Sequence, residues 1–211
     1  NYQPFPYQPS EIDFVLVTHS HIDHIGRLPK LYKEGFRGKV FATTATRDLM
    51  AVALPDNLQR IAEEAKQDGH PPLFAAEDVV GLLGLVEGVE YGQAIKLGEM
   101  TAVLQDAGHI LGSAEVEINW SAASLPAGRQ ALASASQRKI VFSGDLGNHP
   151  NLLLNPPAVP AEGADYLVIE SAYGDRIHEA IEDRRSKLLK IIQETIERKA
   201  TLLIPSFAME R

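Results

Sequence analysis

The sequence predicts an α/β fold, and three observations support that class. Short runs of β-branched and aromatic residues alternate with segments of helical periodicity along most of the 211 residues. A compact group of imidazole and carboxylate side chains directly follows the first run, where open α/β sheets place their sites. Hydrophobic residues make up 45% of the chain and charged residues 23%, which is ordinary for a globular protein. We therefore expect one α/β domain over 1–211.

The amino-terminal part predicts two strands and four helices. The run at 12–17 is rich in β-branched and aromatic residues, which favours a buried strand. Gly35 ends one short helix, and Gly69 ends a longer amphipathic one. Glu77 and Asp78 lie in the first turn of the next helix, where the helix dipole favours acidic residues. The expected strands are 12–17 and 39–43, and the expected helices are 26–36, 46–54, 57–67 and 76–86.

The remaining part predicts six strands and one long helix. Ile181, Leu188, Ile192 and Ile196 recur at helical spacing, which indicates an amphipathic helix over 178–199. The other apolar runs are too short for helices and favour strands. The expected strands are 93–97, 101–105, 115–120, 139–142, 166–169 and 201–204.

The stretch 121–137 differs from the rest of the chain in composition. It is of low complexity, rich in Ser and Ala, and it separates two strand signals. We predict a flexible hairpin loop inserted between the strands. Loops of this kind are usually solvated, so we expect no functional role for it.

Composition excludes several classes of protein. The chain has no cysteine, so disulfides are absent and any metal ligands must be nitrogen or oxygen atoms. The net charge of -8 argues against broad electrostatic binding to nucleic acid. No apolar run reaches membrane-spanning length, and we therefore expect no membrane association and a cytoplasmic location.

The segment after the first strand has the composition of a metal site. Residues two apart in extended backbone point the same way, so His19 and His21 can hold one ion. A turn would bring Asp23 and His24 to a second ion beside it. Imidazole and carboxylate are the ligands of zinc and of its harder neighbours, manganese and iron. A lone His is more often structural, but three His and one Asp within six residues predict metal binding.

Two further strand ends carry candidate ligands. His109 lies between glycines just after the strand 101–105, and Asp145 lies just after the strand 139–142. Each pattern alone is commonly a simple turn. In combination with the cluster at 19–24, they supply the ligands that a two-metal site still needs.

Together these motifs resemble the metallo-β-lactamase superfamily, whose members have an αββα sandwich and a dinuclear metal site. The resemblance implies six metal ligands in two groups, and two zinc ions as cofactors, with manganese as the alternative. The implied ligands are His19, His21 and His109 for the first ion, Asp23 and His24 for the second, and Asp145 as the bridge.

A narrower resemblance connects the chain to the beta-CASP branch, which includes ribonuclease J and the cleavage and polyadenylation endonuclease. Residues 169–175 are similar to the Glu-Ser-Thr-Tyr-Gly segment of that branch, although Ala172 stands in the place of Thr. Residues 202–208 resemble the strand that leads into the cap domain of that branch. The resemblance implies an incomplete sandwich: the first β-hairpin is missing before Asn1, the transition to the cap starts at about 201–211, and the cap itself is missing.

The same resemblance implies catalytic roles for three carboxylates. Asp23 and Asp145 would orient the nucleophile as well as bind metal, and Glu170 would orient an acid histidine that lies beyond this chain. For Glu170 alone, the alternative interpretation is a surface carboxylate at a strand end.

The predicted function is hydrolysis of RNA phosphodiester bonds, with single-stranded RNA as the partner and a homodimer left open. Two alternatives stay open as well. One is a metallo-β-lactamase-fold hydrolase of a thioester, a lactone or another small molecule, and the other is a truncated, inactive metal-binding relative.

Overall fold

The structure is a computed structural model that describes residues 2–121, 137–148, 151, 153–160, 162–177 and 181–206. The chain divides into two compact units, Asn1–Glu170 and Ser171–Arg211. The elements of the first unit are β1 (Phe14–Leu16), α1 (Ile22–Ile25), α2 (Leu28–Lys33), β2 (Lys39–Thr43), α3 (Thr44–Gln67), α4 (Ala76–Leu83), β3 (Val86–Val89), β4 (Ala94–Leu97), β5 (Met100–Asp106), β6 (Ala114–Ser121), β7 (Gln137–Phe142) and β8 (Tyr166–Val168).

The strands of the first unit form two sheets. The first sheet has the order β1-β2-β3 and is parallel throughout. The second has the order β4-β5-β6-β7-β8, antiparallel except for its last pair, where β7 and β8 run parallel. Parallel strands end at the same edge of a sheet, so the segments after β1 and β2 emerge together, and so do those after β7 and β8.

Two apolar clusters show how the layers of the first unit pack. Phe41 and Val89 of the first sheet lie in one cluster with Leu104 and Val116 of the second, so the two sheets pack face to face. Val40 on the opposite face of the first sheet belongs to the other cluster. That cluster also contains buried residues of the four helices, namely Ile25, Leu31, Met50, Leu54, Val79 and Leu82.

The α/β fold class is thereby confirmed. Helices, first sheet and second sheet form three successive layers of the predicted αββα sandwich within the described part of the first unit. The predicted strands 12–17, 39–43, 93–97, 101–105, 115–120, 139–142 and 166–169 each correspond to an observed strand within a few residues.

The predicted break between helices 46–54 and 57–67 is wrong. The segment is one 24-residue helix, α3, with Pro55 in its interior. Leu54 before the proline and Leu58 and Ile61 after it belong to the same apolar cluster. Burial of apolar side chains before and after Pro55 therefore stabilises one continuous helix, although proline in a helix interior removes a hydrogen bond.

Two other helix predictions have wrong boundaries. The expected helix 26–36 is the shorter helix α2, and a separate helical turn, α1, precedes that range and begins inside the histidine-rich motif at Ile22. The expected helix 76–86 ends at Leu83, and the sequence missed the strand β3 that follows it. The run has only four residues and contains Gly88, which weakens the strand pattern in the sequence. The strand forms because it pairs with β2.

The second unit contains one helix among its described residues, α5 (Ile181–Glu197), within the predicted range 178–199. The predicted strand 201–204 is wrong, because residues 201–206 are described and form no strand. A strand needs a partner, and no ladder among the described residues includes this segment.

Two predictions of chain organisation stay predictions. The loop predicted at 121–137 falls mainly on 122–136, outside the described residues, while Ser121 and Gln137 pair as the last residues of the β6–β7 ladder. The predicted transition to a cap runs beyond 206, also outside the described residues. Within the described ranges, no helix combines the length and the apolar character that a membrane span requires.

Candidate metal centre

Three imidazoles and one carboxylate converge at the strand ends of the first unit. The His21 Nδ1 atom lies 3.1 Å from His19 Nε2 and 3.2 Å from His109 Nε2. The Asp145 Oδ2 atom lies 3.7 Å from His19 Nε2 and 3.6 Å from His109 Nε2. These four ligand atoms all lie within 4.8 Å of one another, so they could hold a metal ion.

The donor set fits a metal ion by its chemistry. A tetrahedral zinc ion with bonds of ~2.0–2.1 Å to nitrogen separates two nitrogen ligands by roughly 3.3 Å. The observed nitrogen separations are close to that value. The rings of His19, His21 and His109 meet nearly edge to face, at interplanar angles of 79–83°. Such an arrangement directs nitrogen atoms of all three rings toward one point.

Burial keeps His19 neutral. The His19 side chain is fully buried, and desolvation, helped by the nearby His24, His109 and His21, lowers its pKa to about 3. Burial also lowers the pKa of His109, although Asp145 opposes that effect. The contacts of these rings with Asp145 are therefore not ion pairs at neutral pH. Neutral imidazole has a free lone pair, and this is the form that binds metal.

A second group lies on the other side of Asp145. His24 Nε2 is 3.3 Å from Asp145 Oδ1 and 3.6 Å from Asp23 Oδ2. Asp145 thus presents Oδ2 to the first histidine group and Oδ1 to His24. The Asp23 side chain is 75% exposed and that of His24 is 30% exposed, so this group is open to solvent.

Local structure explains how four candidate ligands fit into six residues. The chain leaves β1 extended, and His21 still has extended backbone, with φ -63° and ψ 145°. The single turn of α1 begins at the next residue, and the amides of His24 and Ile25 both donate to the His21 carbonyl. This turn places the His24 side chain near both Asp23 and Asp145 and beside the ring of His19. The predicted assignment of Asp23 and His24 to a second ion stays a prediction.

Side-chain hydrogen bonds shape the His109 loop. The Ser113 hydroxyl accepts from the backbone amides of His109, at 2.9 Å, and of Ile110, at 3.2 Å. A Cβ atom at Gly147 would lie 1.7 Å from the Gly108 carbonyl oxygen, so the Asp145 loop can cross the His109 loop only with glycine there. This close approach brings the two ligands together.

Glu170 contacts the backbone of the Asp145 loop. Its Oε1 accepts a hydrogen bond from the Leu146 amide at 2.7 Å, and its own amide donates to the Ser143 hydroxyl at 3.0 Å. The Ser143 hydroxyl donates in turn to the Gly144 carbonyl at 2.6 Å. Glu170 thus holds the loop that carries Asp145, and its predicted role toward an acid histidine stays a prediction.

Sequence reasoning missed three hydroxyl residues beside the candidate ligands: Thr18, Ser113 and Ser143. Each lies within four residues of a predicted ligand, at a strand end or in a turn. The sequence feature that could have identified them is a hydroxyl residue next to a ligand motif, because Ser and Thr form hydrogen bonds with neighbouring backbone groups and ring nitrogens.

The fold and the site together identify the family. A family model described as a beta-lactamase superfamily domain matches residues 1–180. The chain therefore belongs to the metallo-β-lactamase superfamily and is related to its beta-CASP branch.

Three relatives show how much of such proteins the chain represents. It is 39% identical to Ribonuclease TTHA0252 of Thermus thermophilus over 211 residues, which are 100% of this chain and 43% of the relative. It is 31% identical to transcription termination factor FttA of Methanocaldococcus jannaschii, over 95% of this chain and 30% of the relative. It is 27% identical to Endoribonuclease YSH1 of Kluyveromyces lactis, over 96% of this chain and 25% of the relative. The chain spans less than half the length of each of these relatives, so it corresponds to only a part of them.

Proposed function

We propose that this chain is the metal-binding catalytic part of a ribonuclease that hydrolyses phosphodiester bonds in single-stranded RNA. The observation that carries the proposal is the position of Asp145, with one carboxylate oxygen toward each of two ligand groups. A carboxylate shared in this way suits a pair of adjacent cations better than a single one.

The proposed ligands form two sets. His19, His21 and His109 would hold the first ion, Asp23 and His24 the second, and Asp145 would touch both. Zinc suits this set of nitrogen and oxygen ligands, and manganese is the alternative. Two bound metal ions would supply an activated water nucleophile and would stabilise negative charge on the phosphate.

The protein groups have separate tasks in this proposal. The buried, neutral His19 presents a nitrogen lone pair without a competing proton. The exposed carboxylate of Asp23 lies at the open side of the centre, where it can orient a water molecule and accept its proton. Glu170 keeps the Asp145 loop in place through the Leu146 amide.

The comparisons support RNA as the substrate more than a small molecule. Two of the three relatives above are named as ribonucleases. The partly exposed side chains of His24 and Asp145 leave the second group accessible to a polymer. The net charge of -8 makes local contacts and metal ions, rather than overall charge, responsible for holding RNA.

A substrate comparison tests the proposal. The full-length protein that contains this chain is supplied with zinc or manganese and incubated with labelled single-stranded RNA, a thioester and a lactone. We expect cleavage of RNA, and its loss in Asp145→Asn. Asp165→Asn is the matched control, because Asp165 pairs with Arg138 rather than with a histidine.

Two results would contradict the proposal. Turnover of the thioester or lactone with RNA left intact would favour the small-molecule hydrolase. Binding of metal without turnover of any of the three substrates would favour the inactive relative.

A further inference from the structure

Thr18 lies between the two ligand groups on the side away from the proposed ions. Its Oγ1 atom is 3.1 Å from His19 Nδ1 and 3.5 Å from His24 Nδ1. The rings of His19 and His24 lie side by side, with centroids 4.0 Å apart. One hydroxyl therefore faces one imidazole from each group.

The two rings have the same orientation toward their groups. His19 turns Nε2 toward His21 and Asp145, and His24 turns Nε2 toward Asp145 and Asp23. A ring that offers the Nε2 lone pair to a metal carries its proton on Nδ1. A hydroxyl oxygen has two acceptor lone pairs, so Thr18 Oγ1 can accept from both Nδ1–H groups.

The backbone around Thr18 holds its hydroxyl in place. The Thr18 carbonyl accepts from the Ala114 amide at 2.7 Å, which ties the end of β1 to β6. The Asp145 loop passes directly over the side chain, since a Cβ atom at Gly144 would lie 2.8 Å from Thr18 Cβ. Gly144 has a φ of +56°, which also favours glycine. Thr18 is thus held between the start of β6 and the loop that carries Asp145.

We propose that Thr18 is a positioning residue whose hydroxyl selects Nε2 as the metal-facing nitrogen of both His19 and His24, so that it supports both ions at once. This inference rests on the proposed two-metal centre. Outer-shell partners of metal-binding histidines typically contribute ~10–100-fold in affinity. Without the hydroxyl, both Nδ1–H groups would lose their acceptor, and each ring would be free to change tautomer.

The test compares variants of the full-length protein. Thr18→Val keeps the shape of the side chain and removes the acceptor, and Thr18→Ser keeps the hydroxyl. We expect Thr18→Val to weaken the binding of both zinc ions by about 10–100-fold in a chelator competition, and Thr18→Ser to restore most of that affinity. Thr46→Val is the matched control, because it removes a buried hydroxyl that donates to the Gly112 carbonyl and contacts no imidazole.

Nitrogen-15 NMR of the histidine rings gives a second readout that needs no catalysis. In the zinc-loaded wild-type protein, His19 and His24 should both carry the proton on Nδ1. Nε2 protonation of either ring would overturn the inference even if Thr18→Val failed to fold. Unchanged affinity for both ions in a folded Thr18→Val variant would overturn it too. Both results leave the proposed function intact, whereas a wild-type protein that binds no metal would contradict the proposed function itself.

Discussion

The two ligand groups differ in how completely the first unit encloses them. The first group has three imidazole nitrogens from two separate loops, and His19 within it is fully buried. The second group has Asp23 and His24 from one helical turn, and the Asp23 side chain is 75% exposed. Asp145 is common to both.

This difference predicts unequal metal sites. Ligands held by packing are organised before the ion arrives, whereas exposed ligands must be ordered on binding, at a cost in side-chain entropy. We expect the first ion to bind more tightly and the second to exchange more readily.

Asp145→Asn should have the largest effect, because it removes the negative charge that both groups share. We expect both ions to be weakened and RNA cleavage to fall by more than the ~100-fold upper range of outer-shell changes. Metal content by elemental analysis and single-turnover rates measure the two effects. If Asp145→Asn loses no more metal and no more activity than the single histidine variants do, Asp145 does not bridge the two ions.

His19→Asn and His24→Asn should separate the two groups. The buried His19 belongs to the tighter site, so its loss should exceed ~100-fold in affinity for the first ion. His24→Asn should leave the first ion bound and lower the content toward one ion per chain. Stepwise zinc titration with a chelator indicator distinguishes the two variants, and identical titration curves would remove the distinction between the groups.

Acid should destabilise the metal-free protein through His19. The folded-state pKa of about 3 lies below the ordinary value of 6.5, so the unfolded chain binds the proton first as the pH falls. The contribution of His19 to the free energy of unfolding is therefore fully present above about pH 6.5, and it is lost as the pH falls toward about 3. The slope contributed by one such group is at most about 1.4 kcal/mol per pH unit.

Denaturant unfolding of the metal-free protein between pH 7 and pH 4 measures this slope. His19→Asn should show a shallower pH dependence than the wild-type protein over the same range. Parallel curves for the two proteins would mean that His19 takes up its proton while folded.

Ser143→Ala should destabilise the Asp145 loop. The buried hydroxyl accepts from the Glu170 amide and donates to the Gly144 carbonyl, so its removal should cost about 1–3 kcal/mol in the free energy of unfolding. Ser186→Ala is the matched control, because its hydroxyl donates to a carbonyl on the exposed helix α5. We expect the control to stay within about 0.5 kcal/mol of the wild type. Equal effects would indicate that the Ser143 bonds contribute little.

Replacement of 122–136 by Asn-Gly should have the smallest effect. Ser121 and Gln137 are already paired, and Asn-Gly favours the tight turn that such a ladder needs. Loop closure depends only weakly on length, at about 0.6 kcal/mol for each doubling, so stability should change by roughly 2 kcal/mol or less. Both ligand groups should keep their zinc affinities. Loss of soluble protein would show that the segment packs against the domain.

Much of the centre could be predicted from the sequence because its determinants are local. Four candidate ligands lie within six residues, and strand and turn geometry alone divide them into the two proposed pairs. His109 and Asp145 each follow an apolar strand, which placed them at strand ends without knowledge of the pairing. The strand β3 and the continuous helix α3 could not be predicted in this way, because one depends on its neighbour β2 and the other on burial around Pro55.

The α/β class, the types of the candidate ligands and their positions after the strands follow from the sequence alone, since these depend on periodicity and on contacts between near neighbours. The folded domain is needed to see which oxygen of Asp145 faces which group, and that the Thr18 hydroxyl faces one ring of each. Those relations join residues as distant in the sequence as His19 and Asp145, brought together by the packing of two sheets. Long-range proximity of this kind follows from burial of apolar area and close packing in the whole domain, which no local pattern specifies.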